Sequence, residues 1–213
     1  MGILRDTLGR VLIGRELNWE RWRLTRRRKL LPQSKWTAVN TSTVTWTVQR
    51  DKSVTLYNSG SAGPNIAAYV RTAPATPWEV IVNVRPMCPT DSLSPQHAGV
   101  LFRESSTGRL HTLSIQNDGN WHIGRYTSPT ALSLEDLDSG STLPTFSKTD
   151  LWFRIRDDGT DRLFYVSNDC GWTWYSLFSV GRTTFLTADQ YGIFVNDEAS
   201  FGLYATFSHL EPP

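Results

Sequence analysis

Cysteine is scarce in this chain: Cys88 and Cys170 are the only two among 213 residues. Two thiols make no disulfide framework, so a small disulfide-stapled scaffold is excluded. One bridge is compatible with the sequence, but two unpaired thiols are the expectation for a product of reducing cytoplasm. Histidine is nearly as rare. His97, His111, His122 and His209 are scattered, show no zinc spacing, and read as surface or satisfied polar residues. No apolar run approaches the length of a membrane span, so no membrane partner is expected. A secretory signal is not expected either, because Arg10 and Arg15 closely flank Val11-Leu12-Ile13. Asp6, Glu16 and Glu20 argue against a transit peptide. Long helix-period patterns are missing after about residue 35.

Short alternating runs are what the chain does have. Trp, Tyr and Phe make up 12% of it, and Thr, Ser, Gly and Val fill much of the rest. The length suits one large all-β domain with a good core. The net charge of +2 hides a division. Residues 1–35 carry ten Lys/Arg and three Asp/Glu, whereas residues 36–213 carry twelve and seventeen. The reading is therefore a basic N-terminal arm, 1–35, on a mildly acidic domain, 36–213, each part meeting different partners.

Within the arm, Gly2, Gly9 and Gly14 weaken the helical spacing of Leu4, Leu8 and Leu12. Glu16 to Leu31 is better helix material, and Pro32 ends it. Trp19, Trp22 and Leu24 offer apolar anchors. Arg21, Arg23, Arg26, Arg27, Arg28 and Lys29 supply charge. These residues suit docking on an acidic protein surface, with the tryptophans as anchors. They also suit phosphate neutralisation with base stacking, which is the nucleic-acid alternative. A third reading folds the arm back on its own domain.

From Trp36 the period becomes two. Val44–Val48, Val54–Tyr57, Ile66–Val70, Trp78–Val84, Gly99–Arg103, Leu110–Gln116, Trp121–Tyr126 and Leu151–Arg156 read as strands. Asn117-Asp118-Gly119-Asn120 is a hairpin tip, because Asp-Gly supplies the positive φ such turns need. Asp157-Asp158-Gly159-Thr160-Asp161 is another turn. Residues 86–97 and 127–149 read as loops. The total is about twelve strands joined by hairpin loops, as in a two-sheet jelly-roll sandwich.

One hairpin is distinctive. Between Arg162–Val166 and Trp174–Phe178 lies Ser167-Asn168-Asp169-Cys170-Gly171-Trp172-Thr173-Trp174. A carboxylate at Asp169 can accept amides of its own turn, and Gly171 can take positive φ. Trp174 is expected to anchor the returning strand in a core. The set Ser167, Asp169, Gly171, Thr173 and Trp174 resembles the Asp-box of sialidases and other β-proteins. The role this implies is structural, because in those families the box sits away from the chemistry.

The wider order of strands resembles the concanavalin A-like lectin/glucanase (laminin-G-like) jelly rolls. The resemblance rests on Ala98–Arg103, the Ile115-to-Trp121 hairpin, Leu151–Ile155, the box hairpin, Gly192–Phe194 and Ala205–Phe207. It covers roughly residues 40–210 and implies a fold rather than one activity. A basic, Trp-containing arm before such a domain looks like phage virion proteins, in which the arm anchors a sugar-binding or decorative jelly roll. That implies a head-decoration or tail/fibre protein made in the host cytoplasm and present in many copies. Its partners would be capsid or tail proteins, with surface glycans on the outward face.

Catalysis is not expected. Sugar-cleaving members of the superfamily carry Glu-x-Asp-x-x-Glu on one strand, where alternation places the carboxylates on one face. Glu135-Asp136-Leu137-Asp138 is the only dense acidic run, its spacing differs, and it reads as a solvated loop. Sugar contact without catalysis fits Trp121, Tyr126, Trp172 and Tyr175, which lie near hairpin ends where exposed rings could stack on sugar faces. Calcium is the one ion with candidate ligands, at Asn117-Asp118 and Asp157-Asp158-x-x-Asp161. These do not match an EF-hand loop, and no cofactor is expected. The alternative to a virion protein is a stand-alone carbohydrate-binding or hydrolytic jelly roll.

Overall fold

A computed structural model describes residues 32–60, 63–87, 95–139, 151–198 and 202–211. The arm residues Trp19 to Arg28, the helix expected over 16–31, and Cys88 lie outside the described residues.

The described chain holds one short 3-10 turn, Gln33–Lys35, and fourteen strands. The first sheet runs β1 (Thr37–Val39), β4 (Ala67–Thr72), β13 (Gln190–Asp197), β6 (Gln96–Arg103), β7 (Leu110–Gln116), β8 (Trp121–Ser128) and β9 (Ala131–Ser139). The second runs β12 (Tyr175–Gly181), β11 (Asp161–Ser167), β10 (Leu151–Asp157), β5 (Trp78–Met87), β14 (Leu203–Glu211), β3 (Val54–Asn58) and β2 (Val44–Val48). Neighbouring strands pair antiparallel in both. This is the all-β jelly-roll sandwich that alternation implied.

Period-two patterning builds the core. Val80, Val82 and Val84 of β5, Phe153 and Ile155 of β10, and Phe164 and Val166 of β11 face Val100 and Phe102 of β6 and Leu113 and Ile115 of β7. The central strands are buried on their other face as well. Ile66, Ala68, Val70, Leu101, Leu110, Tyr126 and Phe194 form a second apolar cluster on the outer side of the first sheet.

Coiling of that sheet explains the second cluster. The Ile66 N–H donates to the Pro129 carbonyl at 2.8 Å, although β13, β6 and β7 separate β4 from β8. A flat sheet would hold those strands about 19 Å apart. Two corners of the sheet therefore fold toward each other over its outer face, which is the concave one. Asn65 N–H donates to Asn196 Oδ1 at 2.8 Å and fixes the same corner. Gly99 on β6 faces this concavity. A Cβ there would stand 2.0 Å from the Leu113 carbonyl oxygen of β7, so only glycine permits the approach.

Two expected loops differ. The polar connection at 127–149 contains an edge strand, β9. Its ladder with β8 shifts register at three places, which breaks the alternation that would announce it. Strand β5 runs through Pro86 to Met87 and β6 starts at Gln96, so the expected 86–97 loop is shorter at both ends.

Candidate functional site

The β11–β12 hairpin is held as its sequence implies. Asp169 Oδ1 accepts the Thr173 N–H at 2.8 Å, the Trp172 N–H at 3.0 Å and the Ser167 hydroxyl at 2.7 Å. Ser167 Oγ in turn accepts the Gly171 N–H at 2.9 Å. Cys170 and Gly171 both adopt positive φ, 65° and 82°. Burial pushes the Asp169 carboxyl up, but its hydrogen bonds to Thr173, Ser167 and Trp172 outweigh this and hold it below the ordinary carboxylate value.

This rigid turn presents aromatic surface. Trp172 is 47% exposed and Tyr175 39%. Trp174 does not enter the sandwich core as expected. Its indole covers Gly171, 3.1 Å from where a Cβ would stand, and is half-buried on the outer side of the second sheet. There the Arg154 guanidinium lies 4.8 Å from the Tyr165 ring and 5.6 Å from the Trp174 ring. Arg154 Nη2 also meets Glu79 Oε2 at 2.9 Å. Farther along the sheet, Tyr57 and Tyr204 stack with centroids 4.4 Å apart, and Tyr204 is 44% exposed. The outer surface thus joins ring faces, which attract apolar sugar faces, to a guanidinium–carboxylate pair able to bond hydroxyls.

Two of the four expected sugar contacts are corrected. Trp121 is buried on the inner side of β8, edge-on against Phe153 at 5.7 Å. Tyr126 is buried in the concave-face cluster. Both lie near hairpin ends, but each is enclosed: one by the facing sheet, the other by the coil of its own.

Of the residues proposed for calcium, Asp118, Asp157 and Asp158 already have protein donors. Asp118 accepts from the Asn120 N–H and Nδ2 at 2.8 Å each. Asp158 accepts the Thr160 and Asp161 amides, at 2.9 Å and 2.8 Å. Asp157 is buried, accepting Gly159 N–H and Arg182 Nε at 3.0 Å each. Among the described residues, no group of three or more His, Cys, Asp or Glu is placed to hold a metal ion.

The histidines and the acidic run are where sequence reasoning missed most. His97, His111 and His122 are all buried, so of the expected surface or satisfied polar roles only the second is open to them. His97 and His122 face the concavity with ring centroids 4.7 Å apart. Glu198 lies 4.0 Å from His97 Nε2, and Glu135 lies 3.6 Å from His122 Nε2. Burial, then His122, pushes His97 down to about 3. Burial with a contribution from Glu135 raises the Glu198 carboxyl, against a hydrogen bond from Asn196. His111 faces the interior, with Nε2 2.9 Å from Asp136 Oδ2. Burial lowers His111 to about 4 although Asp136 pulls the other way. Arg125 Nε donates to the same Asp136 oxygen at 2.7 Å. The Glu135–Asp138 run is therefore no solvated loop. It is an edge strand whose carboxylates serve both faces of the sheet. The signal was available: pairing the strands of the Asp118-Gly119 hairpin sets His122 opposite Ser114, and both on the face of His97.

No family model matches the sequence, and no curated protein is similar to it. Among solved structures, the fold is similar to that of a functionally unknown protein from Saccharomyces cerevisiae. The TM-score is 0.58 at 17% identity, over 86% of this chain and 98% of that one. The GH43 protein BlXynB from Bacillus licheniformis gives 0.57 at 15% identity, over 84% of this chain and 36% of that one. The chain thus spans little more than a third of that GH43 protein. Lectin I-B4 from Griffonia simplicifolia gives 0.50 at 10% identity, over 85% and 94%. At these identities the fold alone carries over, and it is the concanavalin A-like, lectin-like sandwich that the strand order resembles.

Proposed function

We propose that this chain is a non-catalytic glycan-binding jelly roll displayed on a phage particle. The observation that carries the glycan reading is Trp172, exposed on a turn locked by Asp169 that leads into the Tyr165–Arg154–Trp174 stack, with Tyr175 also exposed where β12 begins, opposite Val166. Preformed aromatic surface loses little freedom on binding, which keeps the cost of association low. The absence of catalysis is supported by the commitments of the acids: Asp136 is taken by Arg125 and His111, and Glu135 and Glu198 each stand against a histidine.

The particle reading rests on the charge division. Ten basic residues within 1–35, among Trp19, Trp22 and Leu24, suit an arm that docks on acidic capsid or tail protein while the acidic domain stays outside. Display in many copies would add weak sugar contacts into useful avidity.

A polysaccharide and glycan array probed with the full-length protein tests the binding, followed by calorimetry on the best ligand. Removing one stacking ring costs about 1–2 kcal/mol. Trp172→Ala and Tyr175→Ala should each weaken binding roughly tenfold. Retention of no glycan, or wild-type affinity in both variants, refutes the proposal.

A further inference from the structure

We propose that the sandwich end closed by Phe185 is a binding site for a small oxyanion, held by Arg162. The proposal is independent of the outer-face reading. Arg162 lies on β11, two residues before the core Phe164, and its guanidinium sits 5.7 Å over the Phe102 ring between the sheets. It is fully buried. Nη2 donates to the Thr184 carbonyl. Nε and Nη1 have no partner among the described residues.

An arginine in that position is costly unless something accepts its remaining protons. The neighbouring carboxylates are all committed elsewhere. Asp157, its cross-strand partner, is taken by Gly159 and Arg182. Asp136 is taken by Arg125 and His111. Glu104 accepts from the Thr107 hydroxyl at 2.5 Å and the Thr187 amide at 2.9 Å. Burial, then repulsion from Arg125, lowers Arg162 to about 10, so the surrounding acids leave the cation under-compensated.

Two further features point to a ligand. The His111 ring packs 4.6 Å from Phe164, and its Nδ1 is buried without a partner among the described residues. With Nε2 turned to Asp136, neutral His111 offers Nδ1 as an acceptor, which suits a hydroxyl beside the anion. The second feature is Phe185 itself, at φ 74°. A bulky side chain rarely adopts the left-handed region, and such strain concentrates where a segment must close over something. Its ring lies 5.3 Å from the Arg109 guanidinium and 5.9 Å from that of Arg125. Its carbonyl accepts from Arg109 Nη1 at 2.7 Å. The strained residue thus follows directly on the carbonyl that holds Arg162. The side of a guanidinium carrying Nε–H and one Nη–H matches two oxygens of a carboxylate, sulfate or phosphate.

Thermal unfolding of the full-length protein, read by tryptophan fluorescence at constant ionic strength, tests this with sulfate, acetate and glycolate as probes. The wild type should show a saturable rise of roughly 5–10 °C at a hundredfold excess over Kd. Glycolate, which carries the extra hydroxyl, should act at lower concentration than acetate. Arg162→Met should abolish the response. If that variant does not fold, a crystal structure of the wild type grown in sulfate decides instead. An anion on Nε and Nη1 supports the site. Water or protein oxygens satisfying both overturn it. A midpoint that follows ionic strength alone, or the same response in Arg162→Met, also overturns it.

Discussion

Replacing Asp169 tests whether eight residues of local chemistry hold the β11–β12 hairpin. In Asp169→Ala the amides of Trp172 and Thr173 and the Ser167 hydroxyl lose one shared acceptor. Trp172 and Thr173 are exposed, so water takes over their amides and the full penalty of a buried orphan donor does not apply. At about 1 kcal/mol net for each bond, the loss is about 2–3 kcal/mol. For a chain of this size that lowers the midpoint by roughly 5–10 °C. Asp169→Asn keeps an oxygen in place and loses only the charge, so it should fall between the alanine variant and the wild type. The two variants also separate by pH. The folded-state carboxyl titrates below its ordinary value, so its contribution is fully present above the unfolded carboxylate pKa of about 4. It is lost as pH falls through the lowered folded value. The gap between wild type and Asp169→Asn should therefore be full at neutral pH and shrink in strong acid. Equilibrium urea unfolding across that range measures it. A loss under about 0.5 kcal/mol in Asp169→Ala, or a gap that ignores pH, would refute the assignment, because a bond to a charged acceptor cannot be both intact and without effect.

The Asp169 hairpin was legible because every partner lies within six residues, and strands β10 and β11 because unequal burial of their two faces prints a period of two; β5, β7 and β8 are buried on both faces and were marked instead by the turn residues that bound them. What failed needed long-range information. Strand β9 escaped because its bulges destroy the alternation and because Leu132 and Leu134 are exposed at the sheet edge. Trp121 and Tyr126 stand at an odd and an even position of one strand, so they point to opposite faces. Reading either as exposed requires one face to be open, and coiling leaves neither so. His97 and His122 are 25 positions apart and meet only through the β6–β7–β8 register. Arg162 was read only as the first residue of a strand; the sandwich shows that its alternation turns it inward, on the face of Phe164.

Two predictions extend these points to the particle and the coil. Mass spectrometry of purified phage particles should find this chain in many copies per particle, and its absence from them would refute the display reading. Gly99→Ala should be among the most damaging single-methyl additions in the chain. The added Cβ would stand 2.0 Å from the Leu113 oxygen and 2.8 Å from the Ser114 Cα, both backbone atoms of the paired strand, so no side-chain rotation relieves it. The strands must part where β6 and β7 carry the concave face, costing about 3 kcal/mol or more, against the 1–3 usual for overpacking. At Gly108, where no atom lies within 4 Å of the added Cβ, only the backbone strain of φ 78° remains, so Gly108→Ala should cost clearly less. Urea midpoints of the two variants decide it. Equal losses would mean that the β6–β7 approach is looser than 2.0 Å implies, and that coiling of the first sheet does not depend on glycine there.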